Sequence, residues 1–411
     1  MPAAPQSPPP LQVRTSLPLP GRRKVTLAAE LGRGSTAVVY RAVLESDSFW
    51  CGPRPTLAAG SADRAWGPSS GAGDVPSVRR PVAAKLYDVS SSDEPDAALV
   101  TIGRAAQRGA YVVHPNAVQI LEMSLVDRAR ALVLTELVEG TTLCRLMGSL
   151  AHSRRRVPLD LALFIATEVA EALSGARTAS TPEGVSAGMA HLDVSAHQVL
   201  LSQHGEVKLS DFGLAQVSRW GSSVRSLQGL AARAASMPPE IARGGAGDLR
   251  SDVFSLGILL REMLVGPRFG ADVGESMALQ YARDGFIPPT FSEMQLHPEL
   301  RTILQRATEP DPVRRYPHAT AMAYELRRVS LPLGVGDGRM FLRSMIVETA
   351  IPELEPIDPD TDTDEHEALE EMSPREDHDL RPYQADRESG LILKATRTRS
   401  DKPREPNGTD E

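Results

Sequence analysis

Residues 190–216 read AHLDVSAHQVLLSQHGEVKLSDFGLAQ, and the fold turns on how this stretch is read. A polar turn carries His191 and Asp193. Two short apolar runs, 199–201 and 207–209, flank the turn Gln203-His204-Gly205-Glu206, and Asp211-Phe212-Gly213 follows the second run. The pattern predicts a hairpin with one carboxylate just before its first strand and another just after its second. Both acids then reach the same edge of a small sheet. Two carboxylates at one edge suit binding Mg²⁺ and accepting a proton.

Upstream, residues 31–42 place Gly32 and Gly34 at the turn of an apparent hairpin, with β-branched residues after it. Glycines let backbone N–H groups approach phosphate oxygens with no side chain in the way. The run Pro81-Val82-Ala83-Ala84-Lys85-Leu86 reads as a strand that ends near a lysine, and residues 97–109 are helical in pattern. Downstream, apolar positions recur at spacings of three and four over 159–176, the signature of a core helix.

Taken in order, these features resemble the eukaryotic-like (Hanks-type) Ser/Thr protein kinase family, in a divergent bacterial-type form. Asp193 falls on that family's catalytic aspartate and Asp211 on its metal-binding aspartate. Lys85 falls on the lysine that grips the nucleotide phosphates, and Gly32 and Gly34 on the phosphate-covering loop, with Ala37 at the third glycine. The resemblance places backbone groups near Glu136 and Val138 against an adenine edge. It gives Gln198 as a second metal ligand where the family has asparagine. Met237-Pro238-Pro239-Glu240, the helix carrying Asp252, and Asp311-Pro312-Val313-Arg314-Arg315 match architectural motifs. The family pairs the counterparts of Glu240 and Arg315 and uses that of Asp252 to hold the catalytic-loop backbone.

Other positions depart from the family. Leu192 stands for its arginine, Ser195 for its lysine, and Ala105 where the helix glutamate that pairs with Lys85 is expected. Glu94 lies eleven residues earlier, roughly 16 Å away along a continuous helix, and cannot stand in. Residues 217–235 carry Ser218, Ser222, Ser223 and Ser226 among arginines, a pattern that suits a phosphorylation loop.

The resemblance implies an α+β, two-lobed protein kinase fold: a small β-rich N-lobe over 25–138 and a larger α-helical C-lobe over 139–332. The Pro-rich stretch 1–24, a Gly/Ser/Pro/Ala-rich insertion over 44–80 and the acidic-to-mixed tail 333–411 read as disordered. In 411 residues, Lys and Arg number 45 against 53 Asp and Glu, a formal charge of −8 that argues against a general nucleic-acid binder. The two cysteines, Cys51 and Cys144, make no metal-ligand spacing, which points to a reducing, cytoplasmic setting. No apolar run is long enough for a membrane span, and MPAAPQSPPP is not a signal peptide.

Two functional readings follow. One is an ATP- and Mg²⁺- (or Mn²⁺-) dependent protein serine/threonine kinase of low or atypical activity, acting on a protein substrate in signalling. The other is a catalytically dead pseudokinase that senses nucleotide or serves as a scaffold for a signalling partner. Lys85, Asp193 and Asp211 favour the first; Ala105, Ser195 and Gln198 favour the second.

Overall fold

The computed structural model describes residues 13, 15–20, 23–33, 37–46, 78–90, 92, 94–214, 230–270, 272–330 and 337–349. The insertion between 47 and 77, the tip 34–36, the serine-bearing loop 215–229 and the tail from 350 lie outside them.

An antiparallel six-stranded sheet forms the smaller lobe. Its strands are β1 (Ser16–Leu19), β2 (Arg23–Arg33), β3 (Ala37–Ser46), β4 (Val78–Asp88), β5 (Ile120–Leu125) and β6 (Arg130–Glu136), in the order β1-β2-β3-β4-β6-β5. Helix α1 (Pro95–Ala110) connects β4 to β5 and packs on the sheet. Pro95 at its start, Asp96 in its first turn and Arg108 in its last each complement a helix end. The sheet face away from α1 buries Val25, Leu27, Ala42, Val82 and Leu134.

Two boundaries differ from the sequence reading. Part of the Pro-rich N-terminal stretch is a strand, because Leu17 and Leu19 alternate inward and cover the sheet beside Val25 and Leu27. β3 and β4 also run on past the expected ends of the insertion, pairing Leu44 with Arg80 and Ser46 with Val78.

The larger lobe is helical. The hinge leads into β7 (Gly140–Thr142) and α2 (Leu143–His152), whose first turn is capped by Thr142. Helix α3 (Leu159–Arg177) runs through the core, and its buried positions Leu161, Ile165, Val169, Ala172 and Ala176 follow a helical period. Strands β8 (Val199–Ser202) and β9 (Val207–Leu209) join β7 in a second small sheet. Next come α4 (Leu230–Ser236), α5 (Pro239–Ala242), α6 (Leu249–Val265), α7 (Glu275–Asp284), α8 (Phe291–Met294), α9 (Pro298–Ala307) and α10 (Ala319–Ser330). A capping box between Asp248 and Ser251 starts α6.

Helix α11 (Gly338–Glu348) lies in the segment read as a disordered tail. Asp337 caps it, and Leu342 and Met345, three residues apart, bury against the core around α3. Gly338 sits so close to Phe164 that a Cβ there would lie 2.2 Å from the ring. Among the described residues, no helix is long and apolar enough to cross a membrane.

Candidate active site

The β8–β9 hairpin brings the two carboxylates to one edge as its pattern predicts. Asp193 precedes β8, Asp211 follows β9, and the Ser210 N–H donates to Gln198 O at 2.9 Å to close the base. Buried Asp252, on α6, fixes the loop before β8. Its two carboxylate oxygens accept the backbone N–H groups of His191 and Leu192, each at 2.7 Å. Burial pushes the Asp252 carboxyl up to about 6, against the pull of His191 and those two N–H donors.

His191 is fully buried and ties the two acids' loops together. The Asp193 N–H donates to its Nδ1 at 3.2 Å, which leaves Nε2 as the donor to Ser210 O, 2.7 Å away. Phe212 meets the imidazole edge-on at 4.8 Å. Leu192 and Asp211 both have left-handed backbones, with φ of 64° and 67°. Such residues cost about 1–3 kcal/mol each and persist only where surrounding contacts impose them. Here those contacts are the Asp252 bonds and the His191 bridge.

Lys85 Nζ donates to Asp211 Oδ2 at 2.5 Å. Burial works against the ammonium, but the Asp211 carboxylate and Tyr87 together outweigh it and hold the lysine pKa above its ordinary value. Burial raises the Asp193 carboxyl above the ordinary aspartate range. His191, Arg233 and Lys85 oppose that rise, and Asp211 adds to it. Lys85, Asp193 and Asp211 therefore share one electrostatic environment.

Helix α1 offers Lys85 no carboxylate. Ala105 is buried, and its carbonyl lies so near Gly213 that a Cβ on that glycine would sit 2.5 Å from it. The Gln198 side-chain oxygen accepts from Ser210 Oγ at 2.8 Å, which puts it beside the backbone that leads into Asp211. No group of three or more His, Cys, Asp or Glu residues that could hold a metal occurs among the described residues.

Gly32 lies near the end of β2, opposite Val39, with open space where a side chain would project. Gly34 lies outside the described residues. Glu136 ends β6 with its carboxylate turned to Lys208, at 3.0 and 3.1 Å, and to the Gln119 N–H. Its side chain is thus committed to the C-lobe hairpin, and Val138 follows it in the hinge. Glu240 and Arg315 form the expected ion pair, at 2.8 and 2.9 Å.

Two features escaped the sequence reading. Tyr87 lies on the same face of β4 as Lys85, with the ammonium 5.7 Å from its ring centroid; the signal was the two-residue spacing. The second is the close packing of α1 on the Phe212-Gly213 backbone. Ala105 and Gly109, four residues apart, hinted at it only once their facing partner was known.

Fold and site together define a two-lobed scaffold with a lysine and two carboxylates grouped between the lobes. Residues 25–326 match the model of the protein tyrosine and serine/threonine kinase family, and the chain belongs to that family. Serine/threonine-protein kinase PknB of Mycobacterium leprae is 29% identical over 256 residues, covering 61% of this chain and 39% of that protein. PknB of Mycolicibacterium smegmatis is 29% identical over 257 residues with the same coverage. The chain therefore spans about two fifths of the length of these relatives. Among solved structures, the kinase domain of Mycobacterium tuberculosis PknI matches with a TM-score of 0.51 at 19% identity, covering 78% of this chain and 98% of that one. That likeness concerns the fold.

Proposed function

We propose that this chain transfers the γ-phosphate of ATP to serine or threonine hydroxyls of a protein substrate in cytoplasmic signalling, with Mg²⁺ or Mn²⁺. The observation that carries the reading is the grouping of Lys85, Asp211 and Asp193, with the first two 2.5 Å apart and Asp193 coupled to both. The choice of serine/threonine follows the names of the relatives.

The donor set fits such a metal. Asp211 and Gln198 would offer two hard oxygens to an ion that takes its remaining ligands from phosphates and water. When bound, the metal neutralises charge on the phosphates. Lys85 is the side chain that would bind a phosphate oxygen. Asp193, held by the His191–Asp252 bonds, orients the acceptor hydroxyl and takes its proton, a role its raised pKa favours. Gly32 would bring backbone close to the phosphates, and the Glu136 and Val138 backbone would read the adenine edge.

A second reading, a nucleotide-sensing pseudokinase, draws support from one feature. The Gln198 oxygen is already bonded to Ser210, and it sits one methylene further out than the family's asparagine would. Labelled-ATP autophosphorylation with Mg²⁺ or Mn²⁺ decides between them. The kinase reading expects incorporation by the wild type and its loss in Asp211→Ala and Asp193→Asn. Equal signal in all three would sink it, and metal-dependent thermal stabilisation by ATP without transfer would leave the sensing module.

A further inference from the structure

In this structure Lys85 leans on Asp211, yet Asp211 is also the carboxylate proposed to take the metal. Its Oδ2 cannot hold the ammonium at 2.5 Å and serve as a metal ligand at once. Some other group must then keep Lys85 aimed into the cleft. Helix α1 has none to offer. Ala105 stands at the facing position, and Asp96, the acid in the first turn of α1, lies nine residues earlier, about 13 Å away along the axis. The contact between the Ala105 carbonyl and Gly213 also leaves little space for a longer side chain to enter from the helix.

Tyr87 fills that space from the strand side. It follows Lys85 by two residues on β4, so the strand's alternation sends both side chains to the face that α1 covers. Its cross-strand neighbours are Ala37 on β3 and Ala131 on β6, both small and buried, which gives the large ring room to lie flat. The ring is only 2% exposed and packs with Ile102, Ala105 and Ala106 of α1. The Lys85 ammonium lies 5.7 Å from its centroid, within cation–π range of the ring, and Tyr87 favours the charged lysine. A buried phenol normally needs a polar partner, and Lys85 is the one at hand. Ala37, at the third glycine position of the loop, is thus one of the two small residues that flank the ring.

We infer that Tyr87 is the positioning residue for Lys85, its hydroxyl holding the ammonium in the cleft when a metal draws Asp211 away. A tyrosine on the strand thereby performs the task that a helix carboxylate would perform from position 105. The inference rests on the nucleotide-site reading for its purpose, but the contact can be tested without catalysis.

Asp211→Asn removes the competing carboxylate, and adding Tyr87→Phe removes only the hydroxyl while the ring keeps its packing. Lys85 is acetylated with an N-hydroxysuccinimide ester at fixed pH and quantified by peptide mass spectrometry, with Lys24 and Lys208 as internal references. The inference expects Lys85 to react roughly tenfold faster in the double variant than in Asp211→Asn, because a hydrogen bond to a charged group is lost. The thermal midpoints and the reference lysines should stay unchanged. Equal Lys85 rates overturn it, as does a faster rate matched by faster Lys208. In an otherwise wild-type background, Tyr87→Phe should raise the KM for Mg²⁺·ATP severalfold, and an unchanged KM counts against the inference. Calorimetry of ATP binding to the wild type tests the nucleotide site separately. Its failure would remove that reading and leave the labelling result standing.

Discussion

Arg315 holds Glu240 with both terminal nitrogens, at 2.8 and 2.9 Å, and its own side chain is fully buried. The same guanidinium donates to the carbonyls of Glu309, Arg250 and Pro310, while Ser251 Oγ donates to Glu240. One side chain therefore ties the start of α5, the first turn of α6 and the loop before α10. Removing it leaves a partly buried carboxylate with only Ser251 as side-chain donor, and takes a donor from three carbonyls. Arg315→Ala is expected to cost about 3–5 kcal/mol in urea denaturation. Burial opposes the Glu240 charge, but Arg315 and Ser251 hold its pKa below the usual range. The pair's stabilisation is thus complete at neutral pH and is lost as pH falls through the depressed pKa. A near-neutral Arg315→Ala would show that the pair is dispensable.

Asp252 makes a similar demand on the catalytic loop. Each of its oxygens accepts one backbone N–H at 2.7 Å, so Asp252→Asn keeps one acceptor and turns an NH₂ group on the other donor. The expected loss is about 1–3 kcal/mol of stability. The same bonds impose the left-handed backbone of Leu192, next to Asp193. Phosphotransfer should therefore fall more than nucleotide binding, which steady-state kinetics beside calorimetric titration will separate.

Much of this site was legible in the sequence because it depends on spacing along the backbone. The hairpin with Asp193 and Asp211 at its ends shows in the local pattern, whereas Asp252 and the Glu240–Arg315 pair were legible only through the family resemblance. Tyr87 was not legible, since its meaning depends on Ala37, Ala131 and Ala105, which only strand register and helix docking bring to it. Strand β1 was hidden by its prolines. Leu17 and Leu19 form a strand only because β2 offers pairing and an apolar face. Helix α11 carried a cap and an i, i+3 apolar pair, but the acidic composition beyond it outweighed that short signal.

Glu262 gives a pH test. Burial raises its carboxyl to about 7, against the backbone N–H of Arg268 and the charges of Arg261 and Arg268. An acid whose folded pKa is raised binds its proton more tightly in the native state. Its contribution is fully present below the unfolded value, about 4.5, and is lost as pH rises to about 7. Glu262→Gln cannot lose a proton and still accepts from Arg268. Its stability relative to wild type should therefore improve between pH 4.5 and pH 8, by on the order of 1–3 kcal/mol. Parallel urea midpoints at the two pH values measure this, and a constant difference would refute it.

The docking of α1 on the Asp211 loop can be tested with two glycines of that one helix. A Cβ at Gly109 would lie 2.2 Å from Phe212 O and 2.7 Å from Ile120 Cδ1. The first of these is backbone and cannot rotate away. A Cβ at Gly103 would meet only the flexible end of Met123, at 3.7 Å. Helix propensity alone favours alanine at both positions by about 0.5–1 kcal/mol. Gly103→Ala should show that gain. Gly109→Ala should reverse it and lose about 1–3 kcal/mol to overpacking. Because the displaced carbonyl belongs to the residue after Asp211, Gly109→Ala should also weaken nucleotide binding, while Gly103→Ala leaves it alone. Opposite signs in urea denaturation support the close approach of α1 to this loop, and two stabilised variants would mean that the helix does not press on it.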